Sequence, residues 1–466
     1  MLTPRHYQVD GINWLTTPNV RLKDTDLLPT LCRHILADAP GSGKTFQASE
    51  AALALSSTTQ SKLVLAPAHL CKQWFVFLQE QYPSSTVVWL EGSRANKEKD
   101  AKLAADWYIV SIQSLRQWEF MEKLLVGLCI RQRINVAVID ESHYCKNRDA
   151  IQSKLAKKIT RPEFINHVIL LSATPIMKEA DDLYWQLHIC DPLTHSSYYQ
   201  WLQKYCWCTM TAWGPQDVTL KRTADFSQWM MGRTYKEIGL ELPPIIPSVH
   251  VHQMTPARKQ AYKDIKDYWY TQVTDGEGLS ANSAMEVMHL LRRITNSPEK
   301  QADLTTFLQD DPKPALIACA YRVAAKELSA AIRKAGFTAT VITGEIPADD
   351  RVAIAKQPTQ VIVATIPSLS EGCDLSHCNS VYFYEEDWAP GKHQQFLSRV
   401  RRHRDNANVG VTITEDNHLH VDTDPNDRPV ILRYFHAANT IDTRIHAVRD
   451  HRQTNIKDLI KSELGV

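Results

Sequence analysis

The chain has 466 residues, 44% hydrophobic and 23% charged, which is more than one core usually organises and too balanced for a largely disordered protein, so at least two folded domains are expected. Lys and Arg (53) nearly cancel Asp and Glu (52), and a net charge of +1 excludes a global pull toward nucleic acid, leaving such binding to local basic surfaces. The ten cysteines contain no CxxC, Cys206 and Cys208 being the one close pair; the N-terminal MLTPRHYQVDG lacks an apolar core, and no apolar run reaches the roughly 18 residues of a membrane span, so reduced thiols in a cytoplasmic protein are expected (nuclear in a eukaryotic host), neither secreted nor membrane-bound.

Arg5 and Gln8 precede an amphipathic stretch with Val9, Ile12, Trp14 and Leu15 that reads as a short helix. A glutamine amide matches the donor–acceptor edge of an adenine, with Arg5 close by; the plainer reading is an ordinary first-helix surface. Cys32 to Leu36 then reads as a strand, Ala37 to Thr45 (ADAPGSGKT) as a tight loop, and Phe46 to Leu55 as a helix. That order gathers the backbone N–H groups of Gly41, Ser42 and Gly43 with a helix N-terminus around one point, as a triphosphate requires. Lys44 is placed for the β- and γ-phosphates and Thr45 for Mg²⁺. Asp38 stands where the usual motif has glycine, so the loop is a variant.

Strands follow at Lys62 to Ala66, Thr86 to Leu90 and Trp107 to Ser111, alternating with helices around Leu70 to Leu78 and Leu115 to Leu128. This alternation predicts a parallel sheet covered on both faces. Asn135 to Ile139 is the next strand and runs into Asp140-Glu141. Paired carboxylates at the carboxyl end of a buried strand need a cation, so Asp140 is placed to hold Mg²⁺ and Glu141 to deprotonate the attacking water. Ser172 and Thr174, after the strand His167 to Leu171, are placed to couple those carboxylates to a moving element. The aromatic segment Tyr198 to Trp213 reads as packing in a small helical insertion near 195–235, with base stacking as the lesser alternative.

Pro243, Pro244 and Pro247 mark a boundary, dividing a first lobe, 1–240, from a second, 241–466. Beyond it come a strand at Ser248 to Met254, a helix from Pro256 to Gln272, and a helix at Met285 to Ile294 carrying Arg292-Arg293. A second alternating series has strands at Ala315 to Ala320, Ala339 to Thr343, Gln360 to Thr365 and Ser380 to Tyr384, so the fold class is α/β with two similar lobes, each a parallel sheet covered by helices. A later helix carries Arg399 and Arg402, whose i, i+3 spacing lets both reach one phosphate, although Arg401 and Arg404 repeat it. A strand at Pro429 to Phe435 and a helix from Thr440 complete the pattern.

With these residues in order the chain resembles superfamily 2 helicase-type ATPases, and within them the Swi/Snf-type DNA translocases. The matching motifs are Gln8, ADAPGSGKT, LVLAPAHLCKQW, DESHYCKN, LSATPI, ATIPSLSEGCDL and QFLSRVRR, with Asp387-Trp388-Ala389-Pro390 and Thr440-Ile441-Asp442 similar to that branch in particular. DESHYCKN, Tyr205-Cys206 and Glu241-Leu242-Pro243-Pro244 are similar to the compact HARP-type annealing helicases. The resemblance implies two RecA-like lobes with ATP in the cleft between them, Gly372 joining the ATP-binding set, and Arg399 and Arg402 stabilising transition-state charge when the lobes close. It implies tracking along double-stranded or forked DNA, with His69, Lys72, Thr365 and Ser368 as candidate backbone contacts, and a recruiting protein partner.

The chain departs from the family in having Ser368-Leu369-Ser370 before Glu371-Gly372 where paired glycines are usual, and Arg404-Asp405-Asn406 in place of Gly-Gln. A polar, hairpin-like stretch, about 409–427, is also extra. The expected function is an ATP-dependent duplex-DNA translocase that remodels DNA structures or protein–DNA complexes, with annealing or branch migration as the finer form. Its rivals are a strand-separating DNA or RNA helicase and a nucleotide-gated binding protein with vestigial hydrolysis.

Overall fold

A computed structural model describes residues 3–20, 31–177, 179–211, 214–268, 270–272, 278–280, 282, 284–311, 314–355, 357, 359–369, 375–387, 390–401, 411–413, 419–421 and 429–446. Two compact units divide the chain, Met1–Leu240 and one beginning at Glu241. Arg402, Gly372 and the Trp388-Ala389 pair lie outside the described residues.

The first unit opens with helix α1 (His6–Leu15) and is built on strands β1 (Arg33–Leu36), β2 (Lys62–Ala66), β3 (Val87–Trp89), β4 (Trp107–Ser111), β5 (Val136–Ile139) and β6 (His167–Leu171). These are short apolar runs because helices α2 (Lys44–Ala54), α3 (Ala68–Gln81), α4 (Arg94–Asp100), α5 (Trp118–Arg131), α6 (Ile151–Ile159) and α7 (Tyr184–Cys190) connect them and leave little sheet surface wet. Along β2, Leu63 and Leu65 enter one core while Val64 and Ala66 enter the other, the period-two alternation of a sheet buried on both faces.

The segment expected to be a small helical insertion has one helix, α8 (Tyr198–Tyr205), and then an antiparallel hairpin, β7 (Cys206–Thr211) with β8 (Gly214–Leu220). Its alternating Cys-Trp-Cys-Thr-Met-Thr favours strand, and Gly214 takes a left-handed φ of 107° that suits a turn. Trp201 and Tyr205 pack on Phe226 as the sequence suggests, whereas Trp207 is 66% exposed. The chain then adds a two-residue strand, β9 (Met230–Met231), beside β1. The resulting order is β3-β4-β2-β5-β6-β1-β9, parallel throughout.

The second unit has its own parallel sheet of β10 (Ile245–His252), β13 (Ala315–Cys319), β14 (Ala339–Ile342), β15 (Val361–Thr365), β16 (Ser380–Phe383) and β19 (Val430–Ala437), in the order β10-β19-β16-β13-β15-β14. Where one helix from Pro256 through Gln272 is expected, α9 spans Pro256–Tyr268 and a short antiparallel pair follows, β11 (Tyr270–Gln272) with β12 (Gly278–Ser280). After α10 (Ala284–Thr295) comes a helix the pattern reading passes over, α11 (Pro298–Asp310), although Ser297 caps it and Pro298 occupies its first turn. Helices α12 (Arg322–Lys334), α13 (Ala348–Ala355), α14 (Ile366–Leu369) and α15 (Pro390–Val400) complete the alternation, and the extra stretch before β19 contributes an antiparallel pair, β17 (Val411–Ile413) with β18 (Leu419–Val421). Two α/β lobes of the RecA-like kind thus make up the chain.

Candidate nucleotide site

In the first lobe β1 feeds the loop that ends at Lys44, where α2 begins. Gly41 and Gly43 both take left-handed φ values, 76° and 75°, which only glycine adopts without strain. The first-turn amides of a helix have no acceptor within it, so the start of α2 at Lys44 supplies donors next to the loop. The Lys44 ammonium donates to the carbonyls of Asp38 (2.8 Å) and Ala39 (3.2 Å), so it lies folded across the loop.

Asp38, the departure from the usual motif, is fully buried. Arg233 holds it in a two-pronged pair, Nη2 to Oδ2 at 2.6 Å and Nε to Oδ1 at 3.0 Å, while the Arg233 backbone N–H also donates to Oδ1. The β9 extension makes this possible, since the Ala39 N–H donates to the Arg233 carbonyl as the two segments run side by side. A carboxylate beside a triphosphate site would repel the ligand; the guanidinium neutralises it. Arg233 also donates to the Tyr7 carbonyl (2.8 Å) and to Gln47 (3.2 Å), tying α1 to the loop. A Cβ at Gly11 would lie 1.9 Å from Gln47 Oε1, so glycine is what lets α1 come this close.

The Gln8 amide is spent on protein: Nε2 donates to the Ser42 carbonyl (3.1 Å) and Oε1 accepts from the Arg5 N–H (2.9 Å). In this state Gln8 caps α1 and braces the loop rather than presenting both ends to a base. The Tyr7 and Tyr235 hydroxyls donate to the carbonyls of Ser42 and Pro40, adding to the brace.

At the end of β5 the Asp140 carboxylate accepts from Trp74 Nε1 (2.7 Å) and from the Glu141 N–H (2.9 Å). Burial, then the neighbouring Glu141 charge, raise the Asp140 pKa to about 6 despite those bonds and the Lys44 charge. That is a site short of positive charge, and the oxygen donors present suit Mg²⁺. Glu141 sits in the left-handed region, φ 46° and ψ 54°, a strain on the order of 1 kcal/mol stored at the proposed base. His143 Nδ1 lies 3.2 Å from Glu141 Oε2 and 3.1 Å from Ser172 Oγ, and that Oγ accepts from the Thr174 N–H (3.2 Å). Ser172 and Thr174 are thus joined to the carboxylate pair through a histidine that pattern reading did not single out. Gln186 makes a parallel link, accepting from Ser142 and donating to the Pro175 carbonyl.

The remaining expected residues separate by exposure. His69 and Lys72 share a face of α3, the first half-buried and the second exposed. Thr365 and Ser368 are buried, and the Ser368 hydroxyl donates inward to the carbonyls of Ile342 and Thr365, so neither presents a surface to a DNA backbone. Arg399 lies in the last turn of α15, half-buried. Arg401 Nε donates to the Pro243 carbonyl at 2.6 Å, and Arg402 and Arg404 lie outside the described residues. Arg292 is buried and donates to the Glu386 carbonyl instead of meeting solvent. The described cysteines are free and, Cys208 apart, buried. No described helix is long and apolar enough to cross a membrane.

Residues 7–300 match the SNF2-related domain family and residues 299–404 the helicase conserved C-terminal domain. The chain is 23% identical over 398 residues to the mouse DNA annealing helicase and endonuclease ZRANB3, covering 79% of this chain and 36% of that protein. It is 24% identical over 431 residues to the Xenopus tropicalis SWI/SNF-related matrix-associated actin-dependent regulator of chromatin subfamily A-like protein 1, covering 87% and 42%. The chain therefore spans less than half the length of these curated relatives. Among solved structures it is similar to the Sulfolobus solfataricus SWI2/SNF2 ATPase core in complex with dsDNA, at 18% identity and a TM-score of 0.42, covering 99% of this chain and 94% of that one. With the first match spanning well over half its length, the chain belongs to the SNF2-related family of helicase-type ATPase domains.

Proposed function

We propose that this protein is an ATP-dependent translocase on double-stranded DNA that remodels DNA structures or protein–DNA complexes. The observation that carries the reading is the placement of the Asp140 and Glu141 carboxylates at the end of β5, in the same parallel sheet whose β1 feeds the loop ending at Lys44. A divalent ion bound there would offset the negative charge of those carboxylates and of an incoming triphosphate. In this reading the loop amides and Lys44 bind the β- and γ-phosphates, Thr45 and Asp140 hold Mg²⁺, and Glu141 accepts the proton of the attacking water. Held by Thr45 and Asp140, Mg²⁺ would supply positive charge against the charge that develops on the phosphates. Arg399 and Arg402 supply positive charge from the second lobe. His143, Ser172 and Thr174 relay the state of Glu141 into the first lobe. His69 and Lys72 contact the DNA backbone, and the protein works in the cytoplasm or nucleus with a recruiting partner. The annealing helicase named among the relatives makes annealing the first remodelling activity to assay.

The test is steady-state ATPase activity without nucleic acid and with single-stranded DNA, duplex DNA, forked DNA or RNA, at two salt concentrations because phosphate contacts are salt-dependent. Stimulation by duplex or forked DNA, lost in Lys44→Ala and reduced roughly 10²–10⁴-fold in Glu141→Gln, is the expected result. Stimulation by single strands or RNA alone points instead to a strand-separating helicase. Full biological activity in Glu141→Gln would mean that hydrolysis is vestigial.

A further inference from the structure

Two adjacent glutamates follow β16 and have different surroundings. Glu385 is spent on its neighbours, accepting from the N–H groups of Ala320 (2.9 Å) and Tyr321 (3.0 Å) and from Asn296 (2.7 Å). Glu386 instead gathers two imidazoles on one oxygen: His436 Nε2 of β19 lies 2.6 Å from Oε1, and His446 Nδ1, on the helical turn after β19, lies 2.8 Å from the same atom. Potential ligand atoms of all three lie within 4.8 Å of one another.

We propose that Glu386, His436 and His446 form a binding site for one transition-metal ion of the zinc class. Two imidazole nitrogens and a carboxylate oxygen are the donors that borderline-soft divalent ions prefer, and they are poor partners for Mg²⁺, which seeks oxygen. Ligand atoms around a tetrahedral zinc, with bonds of about 2.0–2.1 Å, stand about 3.3 Å apart, so the two contacts to Oε1 open by little more than half an ångström and the imidazole nitrogens, within 4.8 Å of each other, close by at most about 1.5 Å to admit the ion. Each imidazole then turns a lone pair rather than an N–H inward, and water takes the fourth position. Glu386 and His436 are buried, with side chains 3% exposed, while the His446 side chain is 22% exposed and gives the ion a way in. The Arg292 guanidinium fixes the backbone beneath the site by donating to the Glu386 carbonyl (2.6 Å), and the Tyr434 ring meets the His446 ring edge-on at 4.8 Å, limiting how far the imidazole swings. The bound ion would pin the end of β16, the last strand and the following turn together.

The full chain, stripped with a chelator, is incubated with Zn²⁺, passed through gel filtration and measured for retained zinc, with Co²⁺ absorption reporting the ligand set and Mg²⁺ as the control. One retained zinc per chain is expected, together with a higher melting temperature. A tetrahedral Co²⁺ spectrum and no competition from millimolar Mg²⁺ are expected as well. His446→Gln, at a partly exposed position, lowers zinc affinity at least about tenfold with an unchanged circular-dichroism spectrum, whereas Cys208→Ser does not. Absence of retained zinc, or retention that His446→Gln leaves untouched, overturns the proposal. If His436→Gln fails to fold, the His446 variant and the Co²⁺ spectrum decide alone.

Discussion

The two lobes share a parallel sheet but keep their buried polar groups in different ways. In the first, buried or half-buried histidines are pushed toward the neutral form: burial lowers His34, His167 and His195 to about 4. His167 Nδ1 accepts from the Cys32 N–H, and His34 Nε2 meets the Thr17 carbonyl. The buried Arg33 is held by carbonyls, those of Thr160, Ile165, Asn166, Ile189 and Cys190. In the second lobe, buried or half-buried charges meet opposite charges: Lys300 pairs with Asp442 (3.1 Å) and Arg433 with Asp311 (2.7 Å). Half-buried ion pairs occur in the first lobe too, Lys146 with Asp182 and Lys158 with Glu122, yet a fully buried carboxylate paired with a guanidinium is, among its described residues, the exception found at the phosphate loop, Asp38–Arg233. A buried ion pair is a weak source of stability but costly to break, so its position there suggests a role in shaping the loop rather than in holding the lobe together.

Breaking that exception should give the largest effect. Arg233→Ala strands a buried carboxylate beside the loop and should cost roughly 3–5 kcal/mol in urea unfolding, as well as weakening nucleotide binding. Adding Asp38→Gly, the usual residue there, should restore most of the loss; a double variant no better than the single one would mean that Arg233 acts through Tyr7 and Gln47 instead. Acid should expose the neutral histidines next. Their folded values lie below the ordinary 6.5, so below that pH the unfolded chain takes up protons the folded lobe refuses. Stability should therefore hold above pH 6.5 and fall as pH drops toward 4, by up to roughly 3 kcal/mol per imidazole. Unfolding midpoints at pH 7 and 5, followed by the tryptophans concentrated in the first lobe, should show the loss, and His195→Leu should lessen it.

The second lobe should respond to acid later. Burial alone would raise Asp311, but the hydrogen bonds from Arg433, Tyr382 and Ser380 outweigh it and bring the carboxyl to about 2. Its contribution, roughly 2 kcal/mol, is present above the ordinary value of 3.8 and lost as pH falls toward 2. Arg433→Ala should remove much of it, measured as a smaller acid-dependent loss. The smallest effect should come from Gly43→Ala, about 1–2 kcal/mol, because a residue with a Cβ resists φ of 75° and that Cβ would lie 2.4 Å from the movable Gln8 Nε2. Melting temperature and nucleotide affinity would check it, and unchanged affinity would show that Gln8 braces the loop without shaping the binding surface.

Features that are local in the chain are legible in its residues. Apolar runs such as KLVLA and HVILL announce buried parallel strands, and the glycines before Lys44 and the Asp140-Glu141 pair sit at strand ends where a ligand is held. The hairpin of β7 and β8 and the helix α11 are locally encoded too, by alternation and by a Ser-Pro cap, although the aromatic composition of the first suits helical packing equally well. The tertiary structure alone decided which partners those residues have. Arg233 belongs to no motif and stands 195 positions from Asp38, and β9, two residues long, carries too little pattern to reveal that the chain returns beside β1. Trp74, His143 and Gln186 likewise take their roles from sheet order, and the burial of Thr365 and Ser368 from how α14 closes over β15. Pairings of this kind depend on packing between distant segments, which periodicity and spacing do not encode.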